Sequence, residues 1–323
     1  MNRQDYLSKL NSLLELGDNF TVLVHFAIKC NGGHVVKRAN VKNEVLETLS
    51  AQYKFAIEDE VSRLEADEEL EILDLSSRDE RANVIYRYDL PDEEPSFFTS
   101  MREVMTIQPA DYFTGNKLFD FNIDNLSDID YFIISIGSEN NKIVVYRNNY
   151  NINLLKQARG RLYINKSGTQ FDVIAEDILR LDTQMDAIQI NNDVFILNLS
   201  FLDTNKEFSS IIVRRAENSI NIIENMELVE NIDGLRDRLS ELSFARRLMR
   251  ALDSSPVTEM PKQTIFDFIG NHEKLRSLLK IVDDKIVLST KKSQDCFIRL
   301  LNDDFLHSNL TDKDYESKAK GHL

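Results

Sequence analysis

Tyr131-Phe-Ile-Ile-Ser-Ile136, Gly137-Ser-Glu-Asn-Asn141 and Lys142-Ile-Val-Val-Tyr146 form the stretch whose reading decides the fold. Two runs of β-branched and aromatic residues flank five turn formers. That pattern specifies a hairpin, because branched side chains suit a pleated strand while Gly and Asn accept the backbone angles of a tight turn. Met185 to Ile190 and Val194 to Leu199 repeat the pattern around Asn191-Asn192-Asp193. With Arg161 to Ile164 and Phe171 to Ile174 between the two hairpins, residues 118–200 are predicted to form a central, mostly antiparallel sheet.

Working outward toward the N-terminus, a helix over Arg3 to Leu16 is expected to end at Gly17, with Phe20 to Ile28 as a strand and Asn31-Gly32-Gly33 as a turn. Val45, Leu49, Ala56, Val61 and Leu64 recur near helical spacing, which predicts one long or two shorter helices between Val41 and Leu64. Glu71 to Leu75 and Asn83 to Asp89 read as strands separated by the polar stretch Ser76 to Arg81. Pro91 and Pro95 then stop the pairing, since proline lacks the ladder donor. A short helix near Phe97 to Thr106 and irregular sequence from Pro109 to Asp128 follow, so Asp92 to Asp130 is the expected seam.

Beyond Phe201 helices dominate. Asn231 or Asp233 can cap a helix running to Leu252, ended by Ser254-Ser255-Pro256 because the residue before proline avoids the α region. A single strand, Lys285 to Leu288, precedes a helix from Ser289 through Leu301. The expected fold class is α+β. It comprises an N-terminal α/β unit over residues 1–110 and a second region over 111–323, the latter made of a central sheet (118–200) and a helical part (201–323).

Composition narrows the function. The chain is 42% hydrophobic and 29% charged, the balance of a protein able to bury a core. Cys30 and Cys296 sit far apart without a CxxC partner, which points to a reducing cytoplasm and to neither a disulfide framework nor a zinc cluster. The N-terminus lacks the features of a secretion signal, and no window approaches the roughly 20 apolar residues of a membrane span. Any membrane association is therefore expected through a partner, peripheral and without direct insertion. The net charge of −15 suits a polyanion poorly unless basic groups gather on one surface. Residues 233–323 carry 16 basic and 15 acidic side chains, so that surface is expected there.

Candidate chemistry is sparse. Gly32-Gly33 lacks a phosphate-loop context and reads as a turn. His25, His34, His272, His307 and His322 are scattered, with no pair aimed at one metal. Asp303-Asp304 would point about 100° apart on a helix, a poor cage. Asp186 and Asp193 flank a hairpin and raise a metal-dependent nuclease as an alternative, yet no [DE]xK follows on an adjoining strand to complete the usual set. No catalytic residue, metal site or cofactor is expected. On the helix from Asp233 to Leu252, however, Arg236, Arg246, Arg247 and Arg250 fall within a sector roughly 100° wide, where they could fork onto phosphates. Lys291 and Lys292, in the first turn of another helix, extend that inventory. The bland counter-reading is a solvated face neutralised by Asp237, Glu241 and Asp253.

Several of these segments, in this order, resemble the KwaB family, the soluble subunit of the two-protein Kiwa system. The stretches are Phe171-Asp-Val-Ile-Ala-Glu-Asp-Ile-Leu-Arg-Leu, Met185-Asp-Ala-Ile-Gln-Ile-Asn-Asn-Asp-Val-Phe-Ile-Leu and the helix Phe201 to Phe208. The tail adds Ser243-Phe-Ala-Arg-Arg-Leu-Met-Arg, Ser255-Pro256, Ile265-Phe-Asp-Phe-Ile and Leu300-Leu-Asn-Asp-Asp-Phe-Leu-His-Ser-Asn-Leu-Thr, closing with Tyr315 and Lys318. The likeness covers about residues 118–323. It implies antiphage defence, a membrane-embedded partner KwaA, and a cytoplasmic assembly, homodimeric or higher, that engages double-stranded phage DNA without sequence preference and without enzymatic chemistry. A scaffold or sensor that works by protein docking alone remains the other non-enzymatic expectation. The family offers no catalytic motif to carry over.

Overall fold

The computed structural model describes residues 1–31, 33–77, 83–90, 94–107, 117–150, 153–155, 163–174, 176–253, 255–308, 310 and 313–316. The chain divides into two compact units, Met1–Ile72 with Pro95–Phe201, and Leu73–Glu94 with Leu202–Leu323. Pro91, residues 109–116, Arg161, Ser254 and Lys318, all used in the sequence reading, lie outside the described residues.

The chain opens with α1 (Arg3–Leu14), β1 (Thr21–Cys30), β2 (Gly33–Arg38), α2 (Asn43–Ala66), β3 (Glu71–Asp74) and β4 (Val84–Arg87). It continues with α3 (Ser96–Thr106), β5 (Ile129–Gly137), β6 (Lys142–Asn148), β7 (Leu154–Leu155), β8 (Ile164–Ser167), β9 (Gln170–Val173), β10 (Ile178–Leu179), β11 (Ala187–Ile190) and β12 (Asp193–Ile196). In the first unit, six strands lie in the order β2-β1-β5-β6-β11-β12, every neighbouring pair antiparallel. Strands from before and after residue 110 thus share one sheet.

Local chemistry accounts for the elements. Asn2 and Asp5 form a reciprocal cap that satisfies free N–H groups at the start of α1, whose Tyr6, Leu10 and Leu13 face the core. The periodicity between Val41 and Leu64 resolves as one helix, α2, burying Leu49, Tyr53, Ile57, Val61 and Leu64. Between β5 and β6, Gly137 has φ +124, and a Cβ there would stand 2.1 Å from the Asn141 carbonyl oxygen, so the turn needs glycine. Tyr131, Phe132, Ile133 and Ile134 are consecutive and all buried, which requires cover on both faces of β5. Phe97 of α3 supplies it on one face, against Tyr131 and Tyr146. Phe26, Phe119 and Phe132 pack edge-on across the other.

Two strand expectations change. β8 and β9 pair only with each other and form a separate ribbon instead of joining the central sheet. Their side chains are exposed, so no core-facing pattern ties them to a neighbouring strand.

The second unit contains β4 and the end of β3, then the end of α4 (Leu199–Thr204), α5 (Lys206–Asn225), α6 (Asp233–Arg236), α7 (Leu242–Asp253), α8 (Lys262–Asn271) and α9 (Glu273–Leu278). After these come β13 (Lys280–Val282), β14 (Lys285–Val287), α10 (Lys291–Leu301), β15 (Phe305–Ser308) and β16 (Lys313–Glu316). Phe208, Ile212, Phe244, Leu248, Phe297 and Leu301 are buried and form much of its core. The strand expected alone at Lys285 to Leu288 is half of a hairpin, pairing with β13. The helix expected from Asp233 to Leu252 is two helices, α6 and α7, separated by residues 237–241.

Candidate nucleic-acid interface

The break between α6 and α7 follows from Arg238. Its side chain is 7% exposed and donates to Glu241 at 2.9 and 3.1 Å, to Gln294 Oε1 at 3.2 Å and to the Lys291 carbonyl at 3.3 Å. Its guanidinium also lies 4.0 Å from the centre of the Phe244 ring. A buried guanidinium needs this many partners because an unpaired one is costly to desolvate. The backbone accommodates it with tight turns, Arg238 N donating to Leu235 O and Glu241 N to Arg238 O. Gln294 reaches this spot because Gly234 has no side chain: a Cβ there would be 2.7 Å from Gln294 Nε2.

The break removes Arg236 from the stripe. It sits on α6 and pairs with Glu224 at 2.8 Å and Glu217 at 3.2 Å, both on α5. On α7, Phe244, Ala245, Leu248 and Met249 turn inward, so the arginines occupy the flanks. Arg246 binds Asp203 at 2.7 Å, Arg247 binds Asp295 at 3.1 Å, and Arg250 donates to Asn302 at 3.1 Å.

Thr290 caps α10 with Ser293, which places Lys291 and Lys292 in its first turn. Lys291 meets Glu241 at 2.6 Å, and Lys292 is exposed beside it. Arg238 also pairs with Asp295 at 3.1 Å. Of the six expected cations, Arg247, Lys291 and Lys292 are therefore brought together, while Arg236, Arg246 and Arg250 point to other partners. With Arg238 they make four cations against two carboxylates, Glu241 and Asp295. The hydrogen bonds from Arg238 and then Lys291 hold the Glu241 carboxyl down to about 2. Arg238 was missed in the sequence reading, although its spacing of three from Glu241 next to Phe244 was a usable signal.

Asp186 and Asp193 are not brought together. They stand at opposite ends of the β11–β12 hairpin, about 13 Å apart at the rise of a strand, too far to share a metal. Asp186 is buried and accepts from Arg147 at 3.0 Å, the Asn148 amide at 2.9 Å and Asn198 at 2.6 Å. Its carboxylate ties the hairpin to β6. Asp193 lies 3.4 Å from the N-terminal ammonium. Among the described residues no three His, Cys, Asp or Glu side chains are placed to hold a metal ion.

Comparison with known proteins agrees with the order of segments. A family model described as Kiwa protein KwaB-like matches residues 126–311. The Kiwa protein KwaB of Escherichia coli O55:H7 (strain RM12579 / EPEC) is 28% identical over 330 aligned residues, covering 100% of this chain and 99% of the relative. No solved structure matches the chain.

Proposed function

Because the chain belongs to the Kiwa protein KwaB-like family, and so to the Kiwa antiphage defence system, we propose that it is a binding subunit that grips double-stranded DNA without reading its sequence. It acts with the membrane-embedded partner KwaA as a homodimer or higher assembly, and turns over no substrate. The observation that carries the DNA reading is the local excess of cations where α7 and α10 meet, in a chain whose net charge is −15. Phosphates can replace Glu241 and Asp295 as partners of Arg247 and Lys291, with Lys292 alongside, which gives anchoring contacts that carry no base information.

Three such contacts predict that log affinity falls with log salt with a slope of about −2.7. The test is duplex binding across a salt series for the parent and for Arg247→Glu with Lys292→Glu. Weaker binding and a shallower slope are expected. Unchanged affinity and slope would remove the site.

A docking scaffold is favoured by a different observation: Arg236, Arg246 and Arg247 each already hold a carboxylate. The same double variant separates the readings. Loss of DNA retention with capture of the membrane partner intact supports the DNA reading, and the reverse supports the scaffold. Cleavage of duplex by pure protein with Mg²⁺ or Mn²⁺, abolished by Asp193→Ala, would overturn the absence of turnover.

A further inference from the structure

The ribbon between β6 and β11 is built unlike the rest of its unit. At its base Leu155 pairs with Ile178 and Leu154 with Leu179. At its tip Ile164 stands opposite Val173 and Lys166 opposite Phe171. Residues two apart on a strand share a face. Ile164, Lys166, Phe171 and Val173 therefore form one face, with Asn165 and Asp172 on the other. Ile164 is 52%, Phe171 67% and Val173 60% exposed, and Asn165 and Asp172 are exposed as well. A two-stranded hairpin without core support is marginal in water, and three large apolar side chains left together on one face mark a docking surface.

Charge selects the occupant. From Asn140 to Phe171 the sequence holds Lys142, Arg147, Lys156, Arg159, Arg161 and Lys166 and no acidic residue, within a chain of net charge −15. Arg147 is taken up by Asp182 and Asp186, whereas Lys156, Arg159 and Arg161 immediately precede the ribbon. Covalent reach alone keeps Arg161 within about 11 Å of Ile164. An apolar face flanked by cations matches the boundary between lipid headgroups and acyl chains, where aliphatic groups enter and ammonium or guanidinium groups meet phosphate. Nucleic acid fits this face less well. Ile164 and Val173 offer neither stacking surface nor hydrogen bonds to bases, and Asp172 would repel phosphate. A second copy docked two-fold on the same face would set Lys166 near its own equivalent.

We propose that the β8–β9 ribbon is an interfacial contact with an anionic lipid surface, seating Ile164, Phe171 and Val173 among the acyl chains with Lys166 at the level of the phosphates. This contact belongs to the chain itself and is independent of the DNA and KwaA readings. It is adsorption and not crossing: among the described residues no helix is long and apolar enough to cross a membrane.

The test uses the full chain and vesicles of phosphatidylcholine alone or mixed equally with phosphatidylglycerol. Cosedimentation with the anionic vesicles is expected for the parent, lowered about tenfold by Ile164→Ser with Phe171→Ser. It should be retained in Phe55→Ser, a control whose phenylalanine is as exposed but lies on α2. The chain has no tryptophan, so Phe171→Trp adds a single reporter whose emission should shift to the blue on anionic vesicles. A parent that ignores these vesicles, a ribbon variant that binds them as well as the parent, or an unshifted Trp emission overturns the proposal. So does a ribbon variant whose only loss is in self-association or DNA retention.

Discussion

His25 sits in the middle of β1, fully buried opposite Ile133 of β5, with Nδ1 3.1 Å from the Ile133 carbonyl oxygen. Burial pushes its pKa down from 6.5 to about 3; the carbonyl bond opposes this, and the charges of Arg38 and Lys142 add a little to it. The folded chain therefore keeps the imidazole neutral, while the unfolded chain protonates it below pH 6.5. The resulting stability is present above 6.5 and is lost as pH falls toward 3. The slope is about 1.4 kcal/mol per pH unit, so moving from pH 7 to pH 5 costs on the order of 2 kcal/mol through this one group. His25→Leu removes the proton site and keeps an apolar side chain in the strand. Urea unfolding near pH 7 and pH 5, read from amide exchange in the β1–β5 ladder, should show the parent losing about 2 kcal/mol more than the variant. Equal losses, or an imidazole resonance that titrates near 6.5 in the folded protein, would refute the reasoning.

Arg147→Met should cost about 3 kcal/mol in urea unfolding of the first unit, because it leaves the buried Asp186 carboxylate without its cation; a loss under about 1 kcal/mol would mean that the Asn148 amide and Asn198 suffice. Gly137→Ala should lower stability by about 2 kcal/mol or more, since the turn sits at positive φ and the new Cβ meets the Asn141 carbonyl. Thermal unfolding reads this directly, and an unchanged midpoint would contradict it. Glu241 contributes stability above its unfolded value of 4.5 that is lost as pH falls toward about 2. Glu241→Gln should therefore flatten the stability profile between those values, and a variant as acid-sensitive as the parent would show that Arg238 and Lys291 do not hold this carboxyl.

Much of the fold was legible because its signals are local. The turn at Gly137 to Asn141 and the branched residues beside it act within a dozen positions, and β5 and β6 lie where that pattern put them. The Ser-Pro stop after α7 and the start of α10 near Ser289 are signals of the same short range. The helix expected from Asp233 to Leu252 failed for a non-local reason. Angular spacing treats residues 237–241 as ordinary helix, whereas Arg238 finds partners at Lys291 and Gln294, more than fifty positions away. The arginine sector failed with it, since Arg236 turned to α5 once the two helices separated. The ribbon was read as two strands correctly, but its exposure on both faces was not legible, because alternation cannot say whether anything stands opposite.

From sequence alone came the α+β class, the two central hairpins, the long α2 pattern, the likeness to KwaB and the inventory of cations, because each depends on propensity, spacing or order along the chain. Tertiary structure alone decided that β1 lies beside β5, that Arg246 meets Asp203 and Arg247 meets Asp295, and that β8 and β9 stand apart from the sheet. Those outcomes depend on which distant groups burial forces into contact, and a buried charge or an uncovered apolar face has consequences only once the chain has closed around it or left it open.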